Sequence, residues 1–137
     1  MSAEHPARAA GLASQAAVRA KDKAAWVALF AADGIVEDPV GPSGFDPEGK
    51  GHRGAEAIAA FWDLAIAKTE SIEFLFEDSF ACGSEVAFTG AIRSRIGGHR
   101  IDAEGVFTYK VDGTGKITAL RAFWEVDRAM RTATPVD

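Results

Sequence analysis

The hydrophobic period of this chain changes once, after Thr69, and that switch restricts the fold more than any other feature. Before it the apolar residues recur at helical spacing. Ala7 to Ala20 form one such stretch, and Lys21-Asp22 breaks it. Asp22 is then placed to cap a second helix predicted through Ala32, with Trp26, Val27 and Phe30 on one stripe. Asp33-Gly34 reads as a left-handed glycine stop, and Ile35 to Asp38 as a short strand. From Ala55 to about Lys68, the residues Ile58, Phe61, Trp62, Ala65 and Ile66 make a wide apolar face, which predicts a third amphipathic helix.

After Thr69 the period is two. Ile72, Phe74 and Phe76 alternate with Ser71, Glu73 and Leu75; Val86, Phe88, Gly90 and Ile92 alternate with Ala87, Thr89 and Ala91. Gly97-Gly98 is a two-residue hairpin signal. The next strand puts Ile101, Ala103, Gly105, Phe107 and Tyr109 on one face and Asp102 and Glu104 on the other. Asp112-Gly-Thr-Gly115 is a second tight turn, and the strand after it carries Leu120, Ala122 and Trp124 on one side. Helices first and an antiparallel meander after is the order of an α+β domain, with helices packed on one face of a curved sheet.

A length of 137 residues fits one domain spanning 1–137, large enough for a core and a pocket. No apolar run approaches the roughly 20 residues of a membrane helix, and the alanine-rich start, interrupted by Arg8 and Arg19, lacks the layout of a secretory signal and reads as part of the fold. Cys82 is the sole cysteine, which excludes an internal disulfide and makes a cytoplasmic address the plain expectation. The net charge of −5, with Arg93, Arg95 and Arg100 scattered among acids, argues against nucleic acid as a partner.

His5, His52 and His99 lie in three separate segments without a helical pair, so no metal site is expected. Cys82 sits in a turn with no histidine nearby and reads as an inert or semi-buried thiol rather than a nucleophile. The loop from Gly41 to Gly54 is rich in glycine and proline but has no phosphate-binding pattern; a long ordered loop of this kind suits a functional cover. Asp38 has the most unusual setting, at the end of an apolar strand and directly before Pro39. Among the inward aromatics it would lie in a low-dielectric cavity, where its pKa rises and its carboxylate can lift a weakly acidic proton. The same pattern fits an acid capping a surface turn, and periodicity alone does not choose between the two.

Three segments carry a family resemblance: Asp22 to Gly41, with its Glu37-Asp38-Pro39-Val40-Gly41 motif; Gly54 to Trp62; and Asp112 to Trp124. They resemble the bacterial Δ5-3-ketosteroid isomerases of the NTF2-like, SnoaL-like superfamily, and the actinobacterial members in the lengthened loop and the Gly105 to Tyr109 stretch. The resemblance implies a cone-shaped, cystatin-like α+β barrel: three N-terminal helices over a curved, mainly antiparallel sheet, an apolar cavity, and a homodimer. It implies no cofactor and a small, steroid-like hydrophobic ligand. It makes Asp38 the general base that moves a proton within the steroid through a dienolate. It places Val18, Trp62, Ile66, Phe88, Ile92, Leu120 and Trp124 on the ligand-contacting wall. Taken singly, each of these wall residues also reads as core.

The chain departs from the family at both donors to the enolate oxygen. The family's tyrosine position falls on Ser14 and its aspartate position on Phe107, which cannot donate. Ser14, Trp124 and Tyr109 are the candidate replacements; Asp102 and Glu104 would serve only if a bulge near Gly105 turned them inward. Two readings follow: a steroid isomerase-like enzyme, or a binding protein that keeps the cavity without efficient turnover. A superfamily lyase, cyclase or epoxide hydrolase is a third, and the last of these needs two acids with an arginine between them.

Overall fold

The computed structural model describes residues 4–136; residues 1–3 and 137 of the expected domain lie outside that range. Helix α1 (Pro6–Arg19) begins where His5 caps it, its Nδ1 accepting from the Ala7 amide at 3.1 Å. The buried positions Ala7, Ala10, Gly11, Ser14, Gln15 and Val18 recur every three to four residues, so one stripe faces inward. Lys21, at φ 56°, turns the chain, and its ammonium donates to the carbonyls of Ile66 and Thr69 at 2.9 and 2.6 Å. Asp22 then caps α2 (Lys23–Ala28) by accepting from the Ala25 amide at 3.1 Å.

Helix α2 ends at Ala28 rather than at Ala32. Strand β1 (Phe30–Glu37) takes up the residues between, because Phe30 and Ile35 to Glu37 find partners on a strand far along the chain. Gly34 is therefore inside β1 and not at a helix stop; a Cβ there would sit 2.9 Å from the Ile117 carbonyl oxygen. After the loop comes β2 (His52–Arg53), a two-residue strand inside the segment expected to carry no regular element. Helix α3 (Ala55–Phe61) continues as a π-helical segment, Trp62–Ile66, where the Ala67 amide reaches back to the Trp62 carbonyl at 2.8 Å. The expected helix is thus present up to Ile66, with a wider second half.

The meander is as the alternation predicts: β3 (Ser71–Cys82), β4 (Glu85–Ile96), β5 (His99–Val111) and β6 (Ile117–Trp124). Ile96 pairs with His99 across Gly97-Gly98, whose φ values of 57° and 77° are those of a type I′ turn. The Asp112 carboxylate holds the next turn by accepting from the Thr114 and Lys116 amides at 2.9 and 3.1 Å. A short helix α4 (Val126–Met130) and β7 (Thr134–Pro135), which pairs with β5, follow β6. Neither was expected, so the three N-terminal helices are joined by a fourth.

The sheet order is β2-β1-β6-β5-β4-β3, antiparallel except where β1 runs parallel to β6. Its curvature has a sequence cause. Gly90 and Gly105 are paired across β4 and β5, a bulge interrupts β3 between Phe76 and Asp78, and Gly90 adopts φ 140°. Ideal Cβ atoms there would lie 2.3 Å from the Leu75 oxygen and 2.0 Å from the Phe123 oxygen, so the neighbouring backbones approach where only glycine fits. The register runs unbroken through Gly105, which keeps Asp102 and Glu104 on the outer face. Asp102 there pairs with Arg93 at 2.8 Å and Glu104 with Arg128.

Helices and the concave face of the sheet bury one cluster centred on Trp26, Val36, Ile58, Val86 and Ile117. Trp26 packs against Phe30, Phe61 and Trp62 with centroids 4.8 to 6.4 Å apart. No helix among the described residues is long and apolar enough to cross a membrane.

Candidate active site

The concave side of the sheet does not close on itself. Between it and the helices lies a cavity of about 320 Å³, within the range of small-molecule sites. Its wall is apolar for most of its extent: Val18 from α1, Phe61, Ala65 and Ile66 from α3 and its extension, Ile72 and Phe74 from β3, Ile92 from β4, Phe107 from β5, Leu120 from β6.

Asp38 lines this cavity because of two local features. In β1, Val36 is buried and Glu37 points the other way to pair with Arg121 at 2.9 Å, so alternation turns Asp38 back inward. The parallel pairing with β6 then sets its neighbour: Val36 registers with Leu120 and Glu37 with Arg121, and the Val40 amide donates to the Ala122 carbonyl at 2.9 Å. Trp124, farther along β6, donates its indole N–H to Asp38 Oδ1 at 2.6 Å. Burial pushes the Asp38 carboxyl above the ordinary carboxylate range, and the indole bond, which favours the charged form, acts in the opposite direction. Among the described residues Asp38 is the only charged side chain on the cavity wall. A carboxyl in apolar surroundings and held by one donor can, when ionised, take a proton from carbon and return it.

The hydroxyl-bearing side chains near it are Ser14 and Tyr109, both buried. Ser14 Oγ accepts from the Trp26 indole N–H at 2.9 Å. Burial pushes the Tyr109 phenol up to about 12; Gln15 and Ser14 beside it pull downward, and the charge of Asp38 adds to the rise. The phenol is therefore a donor at neutral pH and not an anion.

The loop after Asp38 reaches the cavity as well. Ser43, Gly44 and Phe45 line it, and Phe45 meets Phe61 edge-on at 6.0 Å. Asp46 organises this loop: its carboxylate accepts from the amides of Gly49, Lys50 and Gly51 at 3.1, 3.3 and 2.7 Å. These bonds, that of Gly51 first, hold its pKa below the usual carboxylate value. Replacing Asp46 with alanine is expected to speed hydrogen exchange at the Gly49 and Gly51 amides about five- to tenfold, the worth of about one hydrogen bond. Unchanged exchange at both amides would refute that role for Asp46.

Of the residues singled out in the sequence, Asp38, Ser14, Val18, Ile66, Ile92, Phe107, Leu120 and Trp124 meet at the cavity. Trp62 and Phe88 do not. Trp62 packs behind it on Trp26 at 5.4 Å, and Phe88 lies between Phe76 and Tyr109 at 5.4 and 5.7 Å. The chain also brings in Phe45 from the loop, Ile72 and Phe74 from β3, Ile101 and Ala103 from β5, and Val126, Ala129 and Met130 from α4. The strand residues were legible from parity, since they share a face with Phe107 or lie opposite Ile92; helix α4 had no comparable signal. The histidines stand apart: His5 caps α1, His52 packs on Phe61 at 5.0 Å, and His99 lies exposed at the hairpin. Cys82 is exposed rather than semi-buried.

The sequence and fold are similar to those of known proteins. Residues 12–120 match the SnoaL-like domain. The steroid Δ-isomerase of Nocardioides simplex is 32% identical over 108 residues, which cover 79% of this chain and 80% of that protein. The crystal structure of RV0760c from Mycobacterium tuberculosis superposes with a TM-score of 0.86 at 35% identity, covering 98% of both chains, and that protein has also been crystallised with estradiol-17β-hemisuccinate. The Δ5-3-ketosteroid isomerase from a Mycobacterium species gives 0.85 at 35% identity over 96% of this chain and 98% of that one. A matched domain over most of the chain, with these folds and identities, establishes that the chain belongs to the SnoaL-like family of NTF2-like proteins, as a member similar to the steroid Δ-isomerases.

Proposed function

We propose that this protein isomerises a ketosteroid-like substrate, with Asp38 as the base that carries a proton from one carbon of the substrate to another through a dienolate. The observation that carries this reading is the placement of Asp38: a lone carboxylate on an apolar wall, bonded to Trp124 and raised in pKa by burial. The cavity volume suits a fused-ring guest, and the similarity to steroid Δ-isomerases points to the same class of substrate. The mechanism requires three things of this chain's own residues. The apolar wall holds the ring system and excludes water; Asp38 removes a proton α to the carbonyl; and the same carboxyl, now protonated, returns it to the far end of the dienolate.

A binding role without efficient turnover is the second reading, and one observation favours it. Phe107, fully buried on the cavity wall, stands where the resemblance places an acid donor, so the dienolate oxygen lacks that partner. Chemistry of the epoxide hydrolase type fits less well, since among the described residues the wall carries one carboxylate and no arginine. Mixing the protein with 5-androstene-3,17-dione and following the absorbance of the conjugated enone separates the first two. Turnover supports the isomerase; binding of the conjugated product 4-androstene-3,17-dione without turnover supports the binding role; neither result sinks both.

The protein is further proposed to act as a homodimer through the outer face of the sheet. Leu75, Val106 and Phe123 are exposed there, with Val106 paired to Phe123 across β5 and β6. Light scattering on the eluting protein is expected to give twice the chain mass, and Val106→Glu combined with Phe123→Glu to give the chain mass. A monomeric parent protein would end this proposal.

A further inference from the structure

The polar groups on the cavity wall differ in what remains free to meet a ligand. The Trp124 indole N–H is engaged by Asp38 and the Trp26 indole N–H by Ser14. Thr69 donates to the Ile66 carbonyl at 2.7 Å, and Ser43 Oγ accepts from the Phe45 amide in the loop. Ser94 lies opposite Ile101 near the Gly97-Gly98 hairpin, toward the end of β4 away from Tyr109 and its partner Val86. Two hydroxyls are left at the deep end, those of Ser14 and Tyr109, which are 2% and 4% exposed.

The register places Tyr109 near the base, with Ser14 of α1 beside it. Tyr109 and Val36 both pair with Leu120, so Asp38 is two residues farther along β1 from the level of Tyr109. The carboxylate takes its side-chain hydrogen bond from Trp124 and none from Tyr109. Ser14 and the Gln15 side chain flank the phenol oxygen, and Gln15 Nε2 is buried without a hydrogen-bond partner. The donors in this corner form a series: the Trp26 N–H supplies Ser14 Oγ, which leaves the Ser14 hydrogen for the Tyr109 oxygen. The Tyr109 hydrogen is then left to face the cavity that the residue lines, with Asp38 bonded to Trp124 instead. Donors feeding a hydroxyl oxygen polarise its own O–H, and a buried donor without a partner is costly until a ligand supplies one.

We propose that the Tyr109 hydroxyl is the donor to a ligand oxygen at the deep end of the cavity, with Ser14 and Trp26 behind it as positioning residues. The cavity thereby selects apolar guests that carry a carbonyl at the end inserted first. This deepens the ketosteroid reading and rests on it, supplying a donor in place of the one that Phe107 cannot provide.

The test uses 4-androstene-3,17-dione as probe, because its conjugated 3-ketone accepts hydrogen bonds without donating, and its absorbance moves to longer wavelength when it does so. The parent protein is expected to bind the probe with such a red shift. Tyr109→Phe should lose the shift and bind the probe about tenfold more weakly, while 4-androstene, which lacks both ketones, binds parent and variant alike. Ser14→Ala should reduce the shift without removing it. Equal binding of the deoxy compound shows that the variant is folded with its cavity intact. A probe that binds the parent without a shift, a shift retained in Tyr109→Phe, or equal weakening for both compounds overturns the role of Tyr109 and leaves the steroid cavity standing. Failure of either compound to bind the parent overturns both.

Discussion

Replacing Asp38 with asparagine is expected to lower turnover of 5-androstene-3,17-dione by about 10²- to 10⁴-fold, the usual contribution of a positioned base, while raising the melting temperature at neutral pH. The two effects share one cause. Burial raises the carboxyl's pKa, which means that the ionised form, the one able to take a proton, is destabilised by its surroundings. The sign follows from linkage. With the folded pKa above the unfolded one, the folded state binds more protons between the two values, so stability falls as pH climbs from the unfolded value through the folded one. Asparagine is neutral throughout, and the stability gap in its favour should open across that window and be absent below it. Activity in the parent should rise over the same range, with an acid limb above the ordinary carboxylate pKa. Trp124→Phe removes the bond that opposes the shift and should move that limb to higher pH. Turnover in Asp38→Asn within a few-fold of the parent, measured as enone absorbance, would remove the base from the mechanism.

Gly90→Ala should be among the most damaging single methyls in the sheet. At φ 140° an L side chain is strained, and the new Cβ would lie 2.3 Å from the Leu75 carbonyl oxygen and 2.8 Å from the Phe76 Cα, both backbone atoms that cannot rotate away. Backbone strain of about 1 to 3 kcal/mol and overpacking of about 1 to 3 kcal/mol together predict a loss of about 2 to 6 kcal/mol, read from the denaturant midpoint. Gly113→Ala is the control: nothing lies within 4 Å of a Cβ at that turn position, and the change should stay within about 0.5 kcal/mol. Equal midpoints for the two variants would contradict the account of the bend.

The parts of this fold visible in the sequence are those specified by near neighbours. The I′ hairpin at Gly97-Gly98, the Asp22 cap and the alternation of β3 to β6 all follow from residues within a few positions of one another. The end of α2 does not. Phe30 to Ala32 are acceptable helix formers, and they extend instead because Phe30 pairs with Ile117, an interaction across most of the chain that propensity does not register. The π-helical turn at Trp62–Ile66 is likewise a response to packing, with Trp62 directed to the core and Ile66 to the cavity. In the site, the motif around Asp38 and the parity of Phe107, Tyr109 and Trp124 were readable. The Trp26 bond to Ser14 and the burial of Gln15 were not, since the first depends on how closely α1 and α2 approach and the second on how α1 lies over Tyr109 of β5.

The parallel junction of β1 with β6 has a bearing on biosynthesis. Asp38 is made 86 positions before its indole partner, so a growing chain still short of Trp124 carries the acid without the strand that shelters it. A ribosome-bound fragment ending before that point has no finished compartment, and the cavity can close only once Trp124 has cleared the exit tunnel.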